Sequence, residues 1–339
     1  MVKVYDFFSG CGGTSLGFRQ AGFDIVWAID NDPDSVATFE HNFPESSVSC
    51  EDINGLDPKA ISPFIFPRND PLLFCGCAPC QPFSKQNNAK STGDPRRNLL
   101  RKFSEFVKYW KPEFIVVENV PGLQKVTDGG PFDSFIKDLL AENYSVRYSI
   151  LRAAHFGVPQ RRDRLVLVAS LEDEAKLPVE THGEGAGSEL EVVRNWISDL
   201  PPLRAGEQCP EDPDHHSAQL SDLNLRRIKA TPTGCGRESW PPDLWLNCHK
   251  THVGHSDVYG RMHWDKTASG LTTRCISLSN GRFGHPEQDR AISVREAACL
   301  QTFPREFSFR GLLNSKARQV GNAVPPHLAK QIGMALVRQ

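Results

Sequence analysis

Val2-Lys-Val-Tyr-Asp-Phe-Phe8, running straight into Ser9-Gly-Cys-Gly-Gly-Thr-Ser15, is the stretch on which the fold turns. An apolar run of strand length ends in a glycine-rich turn, and helical sequence follows. Glycines at a strand-to-helix turn let the backbone come close to a ligand. Working outward, similar apolar runs recur at Asp24–Ile29, Pro71–Cys75, Phe114–Val117 and Arg164–Ala169, and the amphipathic stretches Leu99–Trp110 and Phe132–Glu142 lie between some of them. Runs this short and this apolar suit parallel strands covered on both faces. The alternation predicts an α/β fold with a doubly wound, mostly parallel sheet, whose ligands sit at the carboxyl ends of its strands.

The chain has 339 residues, 39% of them apolar and 24% charged, which suits one large and one small domain. Neither a cleavable leader nor an apolar run of membrane-spanning length is visible, so a cytoplasmic protein with no membrane partner is expected, its ten cysteines reduced. A net charge of −2 argues against indiscriminate coating of nucleic acid, but the distribution is uneven. Residues 85–111 carry eight cations against Asp94 and Glu105, whereas 171–222 is acidic with only Lys176, Arg194 and Arg204 as Lys or Arg. On charge alone, two solvated faces explain this equally well. From Arg204 through Gly284 the sequence is rich in Pro, Gly, His and Cys, which predicts a loop-rich second domain; helical sequence returns at Val294–Gln301 and His327–Val337.

Two sites emerge at the predicted strand ends. Gly10, Gly12 and Gly13 form the first turn, and Asp30 lies about 20 residues on, where a carboxylate can accept ribose hydroxyls. Asp52-Ile53 follows at the next strand and can reach an adenine. The spacing is Gly-x-Gly-Gly, not the Gly-x-Gly-x-x-Gly of dinucleotide oxidoreductases, and a purely structural turn fits it as well. At the second site, Pro71–Cys75 leads to Gly76-Cys-Ala-Pro-Cys80-Gln-Pro-Phe-Ser84, and Phe114–Val117 leads to Glu118-Asn-Val-Pro121. In a parallel sheet both segments emerge at one edge, so the Cys80 thiol and the Glu118 carboxyl face one pocket as nucleophile and acid. Gln160-Arg-Arg-Asp-Arg164 adds fixed cations. Taken singly, Cys75, Cys77 and Cys80 allow a metal or redox site, Glu118 a helix cap, and the arginines surface ion pairs.

Six motifs in order make the chain resemble the DNA cytosine-5 methyltransferases from Asp6 to Gly333: Phe8-Ser-Gly-Cys-Gly-Gly13, Pro79-Cys80-Gln81, Glu118-Asn-Val120, Gln160-Arg-Arg-Asp-Arg164, Arg295-Glu-Ala-Ala-Cys-Leu-Gln-Thr-Phe-Pro304 and Gly321-Asn-Ala-Val-Pro325. The resemblance implies S-adenosylmethionine as cofactor, held by Phe8, Gly10, Gly12, Asp30, Asp52, Ile53, Pro79, Leu99, Asn322 and Val324. It implies Cys80 adding to carbon 6 of a flipped cytosine, with Glu118, Arg162 and Arg164 completing the catalytic set. A catalytic domain of 1–203 plus 311–339 would flank a target-recognition domain and hinge at 204–310.

Double-stranded DNA is then the expected partner. Gln81, Ser84, Lys85, Arg96 and Arg97 would contact it from the loop Lys85–Asn98 and its approach, and Arg226, Arg227, Arg237 and Lys250 from the recognition region. Trp240 and Trp245 are expected to pack that region's core. A bacterial restriction-modification setting is implied, with a cognate endonuclease acting on the same site and a monomer on DNA. No metal is required, since a sulfonium is already an activated donor. The alternative is a tRNA cytosine-5 enzyme, but the Cys-Phe-Thr tripeptide usual in such relatives is missing. Cys235, Cys248, His249, His252 and His255 invite a zinc site; polar loop residues explain them more simply.

Overall fold

The structure is a computed structural model that describes residues 1–78, 99–125, 130–247 and 257–337. The chain divides into two compact units, one of 1–156, 163–180 and 324–339, the other of 157–162 and 181–323. The segments 157–162, 181–203 and 311–323, which the sequence reading groups with residues 1–156, fall in the second compact unit.

In the first unit, β1 (Lys3–Phe7), α1 (Gly13–Gln20), β2 (Asp24–Asp30), α2 (Pro33–Asn42), β3 (Ser47–Cys50), α3 (Ser62–Ile65), β4 (Leu72–Gly76), α4 (Leu99–Trp110), β5 (Phe114–Asn119), α5 (Pro131–Ala141), β6 (Ser145–Arg152) and β7 (Asp163–Ser170) follow in order. The strands form one sheet in the order β3-β2-β1-β4-β5-β7-β6. Strands β3, β2, β1, β4 and β5 are parallel, as expected; β7 enters antiparallel between β5 and β6. An apolar run such as Leu165–Ala169 reads the same in either direction, so its polarity was not visible in sequence.

Side chains alternate across β1. Phe7 points to the α4 face, where its ring meets Trp27, Phe74, Phe103 and Phe106 at centroid distances of 5.1–5.4 Å. Burying such a side chain contributes about 2–3 kcal/mol. Asp6 points to the opposite face and meets Ser15 of α1. Helices thus cover both faces of the sheet. The C-terminal helix Pro326–Val337 packs against α1 at Gly17, where any Cβ would collide with the Ala329 side chain and the Pro326 carbonyl.

The second unit holds α6 (Val193–Ile197), α7 (Asp222–Lys229), α8 (Val294–Leu300) and α9 (Leu313–Asn322), with a two-residue parallel pairing of Gln160–Arg161 to Ala268–Ser269. Ile228, Trp240, Leu244, Tyr259 and Leu278 form its small core, with Trp245 packed against it, as expected for both tryptophans. Loops leave carbonyls that no ladder satisfies, and buried guanidinium groups supply the donors. Arg261 donates to the carbonyls of Ile228, Thr231, His285 and Gln288 and pairs with Asp289. Fully buried Arg290 grips Glu296 with two bonds of 2.6 and 2.7 Å, and Glu296 closes a capping box with Ser293 at the start of α8.

Candidate active site

Phe8, Gly10 and Gly12 all have positive φ, at 66°, 52° and 94°, so the turn between β1 and α1 is left-handed at three positions. Among the described residues nothing stands within 4 Å of where a Gly10 Cβ would project, leaving space over the turn. Gly12 is glycine for a different reason, since a Cβ there would stand 2.5 Å from the Phe43 ring. Asp30, at the carboxyl end of β2, accepts the Gly10 amide at 2.8 Å through one oxygen and the Asp32 amide at 2.9 Å through the other. Burial raises its pKa, and those amides oppose the rise. Each carboxylate oxygen keeps acceptor capacity, which suits ribose hydroxyls.

Phe8, Ile53 and Leu99 belong to one apolar cluster, so the structure brings these three expected residues together. Asp52 is exposed and caps the turn that follows it, accepting the Asn54 amide at 2.9 Å. Val324 is buried in the same unit; Asn322 is the exposed last residue of α9 in the other. An open glycine turn, a carboxylate beneath it and an apolar wall together fit a nucleoside-bearing group such as S-adenosylmethionine.

Glu118 lies near the carboxyl end of β5, almost wholly buried at 6% exposure. Arg164 Nε stands 2.5 Å from its Oε1. The contact is a charge pair more than a directed bond, since that oxygen has no hydrogen bond of ordinary geometry among the described residues. The antiparallel course of β7 explains the meeting: its amino end lies against the carboxyl end of β5, with Asn119 opposite Leu165. Asn119, which sequence reasoning quoted only as part of a motif, donates its side-chain amide to the Ala78 carbonyl at 3.2 Å and so anchors the exit from β4. Its place beside the expected acid was the available signal.

Pro79, Cys80, Gln81, Ser84, Lys85, Arg96, Arg97 and Lys250 lie outside the described residues, as do Cys248, His249, His252 and His255. Of the other thiols, Cys11 and Cys275 are pushed up to about 12 and Cys299 to about 11 by burial. Cys75 is raised well above the ordinary range by burial and by Cys77, whose sulfur is 3.7 Å away. Such thiols are poor nucleophiles.

Three arginines expected at the site or on DNA are placed otherwise. Arg162 is buried and donates to the carbonyls of Leu271, Gly321 and Ala323, fastening the Gly321–Pro325 motif to its own segment. Arg227 is buried under Trp240 and Tyr259 with its Nε on the Leu244 carbonyl, and Arg237 is buried as well. Arg226 is exposed and pairs with Asp243. Sequence cannot separate an arginine that clamps loop carbonyls from one that faces a ligand. Gln160 likewise bridges to Gln301 and the Leu300 carbonyl.

The family described as C-5 cytosine-specific DNA methylase matches residues 2–338. The chain is 40% identical to the Type II methylase M.HgiDII of Herpetosiphon aurantiacus over 99% of its own length and 95% of the relative's. It is 33% identical to the Type II methyltransferase M1.HphI of Haemophilus parahaemolyticus, covering 99% and 87%. Among solved structures, an Escherichia coli protein assigned as a DNA modification methyltransferase encoded within a prophage superposes with a TM-score of 0.78 over 100% of this chain and 99% of that one; at 23% identity it speaks for the fold. The chain belongs to the C-5 cytosine-specific DNA methylase family and is a DNA (cytosine-5)-methyltransferase.

Proposed function

We propose that the protein methylates carbon 5 of a flipped-out cytosine in a short duplex DNA site, with S-adenosylmethionine as donor and Cys80 as covalent nucleophile. The Glu118–Arg164 pair carries this reading, because it holds a buried carboxyl and a fixed cation together at one strand edge. Carbon 5 of cytosine is too weakly nucleophilic to accept an alkyl group unaided. Addition of the Cys80 thiolate to carbon 6 makes an enamine whose carbon 5 can form the new bond. Loss of the carbon 5 proton then expels the thiolate and restores the ring. Glu118 shares a proton with ring N3 and reads the Watson–Crick edge, and Arg164 holds Glu118 and the base O2. The donor supplies an already activated methyl group; Gly10, Asp30, Phe8 and Ile53 would hold it, with Asp52, Pro79, Leu99, Asn322 and Val324 at its margins.

The similarity to Type II methylases supports a restriction-modification role, protecting the site that a cognate endonuclease cuts, with the enzyme acting as a monomer on DNA. Gln81, Ser84, Lys85, Arg96, Arg97, Arg226 and Lys250 remain the proposed DNA contacts, whereas burial favours a packing role for Arg227 and Arg237. Transfer of labelled methyl from S-adenosylmethionine to duplex DNA but not to tRNA is the direct assay. Transfer to tRNA alone overturns the proposal.

A further inference from the structure

The second unit contains a cavity of about 540 Å³ that the reading above does not use, within the size range of ligand sites. Met262, Val192 and Ala268 are among its apolar lining residues. Arg161 and Lys266 line it, are exposed and have no ion-pair or hydrogen-bonding side-chain partner among the described residues. Two of its acids are already matched: Asp257 pairs with Arg282 at 3.1 Å, and Asp265 pairs with Arg194 at 2.7 Å. Glu189 is the one lining acid with no such partner among the described residues. The uncommitted charge is thus two cations against one anion.

A second observation points the same way. Ser269 stands directly opposite Arg161 in the short parallel pairing, and its Oγ is buried with no hydrogen-bond partner among the described residues. A buried hydroxyl left unmatched costs about 1–3 kcal/mol, so a ligand oxygen is its natural complement. The pairing is close because residue 270 is glycine; a Cβ there would stand 2.9 Å from the Arg161 carbonyl. His263 accepts the Asp265 amide at Nδ1, which makes Nε2 its donor nitrogen. Guanidinium, ammonium, hydroxyl and imidazole N–H are all donors, the set that recognises a phosphate.

We propose that this cavity binds a backbone phosphate of the substrate DNA beside the target cytosine, with Arg161, Lys266 and Ser269 as its ligands. The assignment rests on the function proposed above. Only three Cα–Cα steps separate Arg161 from Arg164, so their Cα atoms lie within about 11 Å of each other whatever the arrangement of the rest. A nucleotide held at Arg164 brings its flanking phosphates to that distance scale, which favours DNA over a free anion.

The test measures the equilibrium binding of a duplex as a function of salt, since each phosphate neutralised contributes about 0.9 to the slope of log K against log salt. Arg161→Gln and Lys266→Gln should each lower that slope by about 1 and weaken binding about tenfold at moderate salt, and Arg161→Lys should restore most of the slope. Glu189→Gln should tighten binding. Lys176→Gln, in the other unit, should leave the slope unchanged. Unchanged slopes in both Arg161→Gln and Lys266→Gln overturn the proposal. So does a wild-type melting temperature that inorganic phosphate raises and Lys266→Gln abolishes while DNA slopes hold, for then the cavity takes free anions. Methyl transfer by the same wild-type preparation separates the two ideas: an active enzyme with unchanged slopes sinks the phosphate site alone, and an enzyme inactive on duplex DNA sinks the function.

Discussion

Arg164 Nε and Glu118 Oε1 meet at 2.5 Å at the sheet edge, one from the start of an antiparallel strand and one from the end of a parallel strand. Both side chains are largely shielded, at 15% and 8% exposure, so neither charge is tolerated alone. Arg164→Met is expected to cost about 3 kcal/mol in denaturant unfolding and to lower methylation at least about 100-fold. Glu118→Gln leaves the Arg164 cation without its charge partner and should also lose stability, while the folded enzyme turns over about 100-fold more slowly; near-normal turnover in that variant would remove the carboxyl from the chemistry.

Gly10 and Gly12 should respond differently to alanine. Gly12→Ala meets both a φ of 94° and the Phe43 ring, and is expected to destabilise the unit by about 2–4 kcal/mol. Gly10→Ala carries the left-handed backbone penalty of about 1 kcal/mol but its methyl enters open space over the turn. Its loss should appear in calorimetric binding of S-adenosylmethionine, with the melting temperature only slightly lowered.

Asp6 gives the first unit a pH signature. Burial raises its pKa from 3.8 to about 7, against the opposing Ser15 hydrogen bond and with help from Asp30. Between those values the folded state keeps a proton that the unfolded chain has released. Stability from this group is present below pH 4 and is lost as pH rises through 7, by up to about 4 kcal/mol. Asp6→Asn keeps an acceptor for Ser15 and should flatten that part of the urea-unfolding profile.

His285 acts in the opposite sense. Burial, with Arg290 and Arg261 nearby, lowers its pKa to about 4 although Glu296 opposes the shift. Its Nδ1 accepts the amides of Glu287 and Gln288, bonds that protonation there would break. The unfolded chain therefore binds a proton first, and stability present above pH 6.5 is lost as pH falls through 4, by up to about 3 kcal/mol. His285→Gln should remove this acid sensitivity; an unchanged acid limb would assign it elsewhere.

Much of the first unit was legible because buried parallel strands are continuous apolar runs, as at Leu72–Gly76 and Phe114–Val117. Edge strands were not: Ser47–Cys50 is polar and short, and Ser145–Arg152 is half exposed, so neither carries that signal. That Gly10, Asp30, Glu118 and an arginine of the Gln160–Arg164 motif stand at strand ends could be anticipated; that Arg164, and not Arg162, is the one that meets Glu118 could not. The roles of Arg162, Arg227 and Arg261 could not, because a loop's unsatisfied carbonyls become visible only once the chain has folded around them.

The most direct measurement is bisulfite sequencing of DNA from cells that lack other cytosine methylation and express the protein or its Cys80→Ser variant. The account predicts protected cytosines at one recurrent short site with the wild type and none with Cys80→Ser. Uniform conversion in cells that accumulate folded wild-type protein, or protection that survives Cys80→Ser, would contradict it.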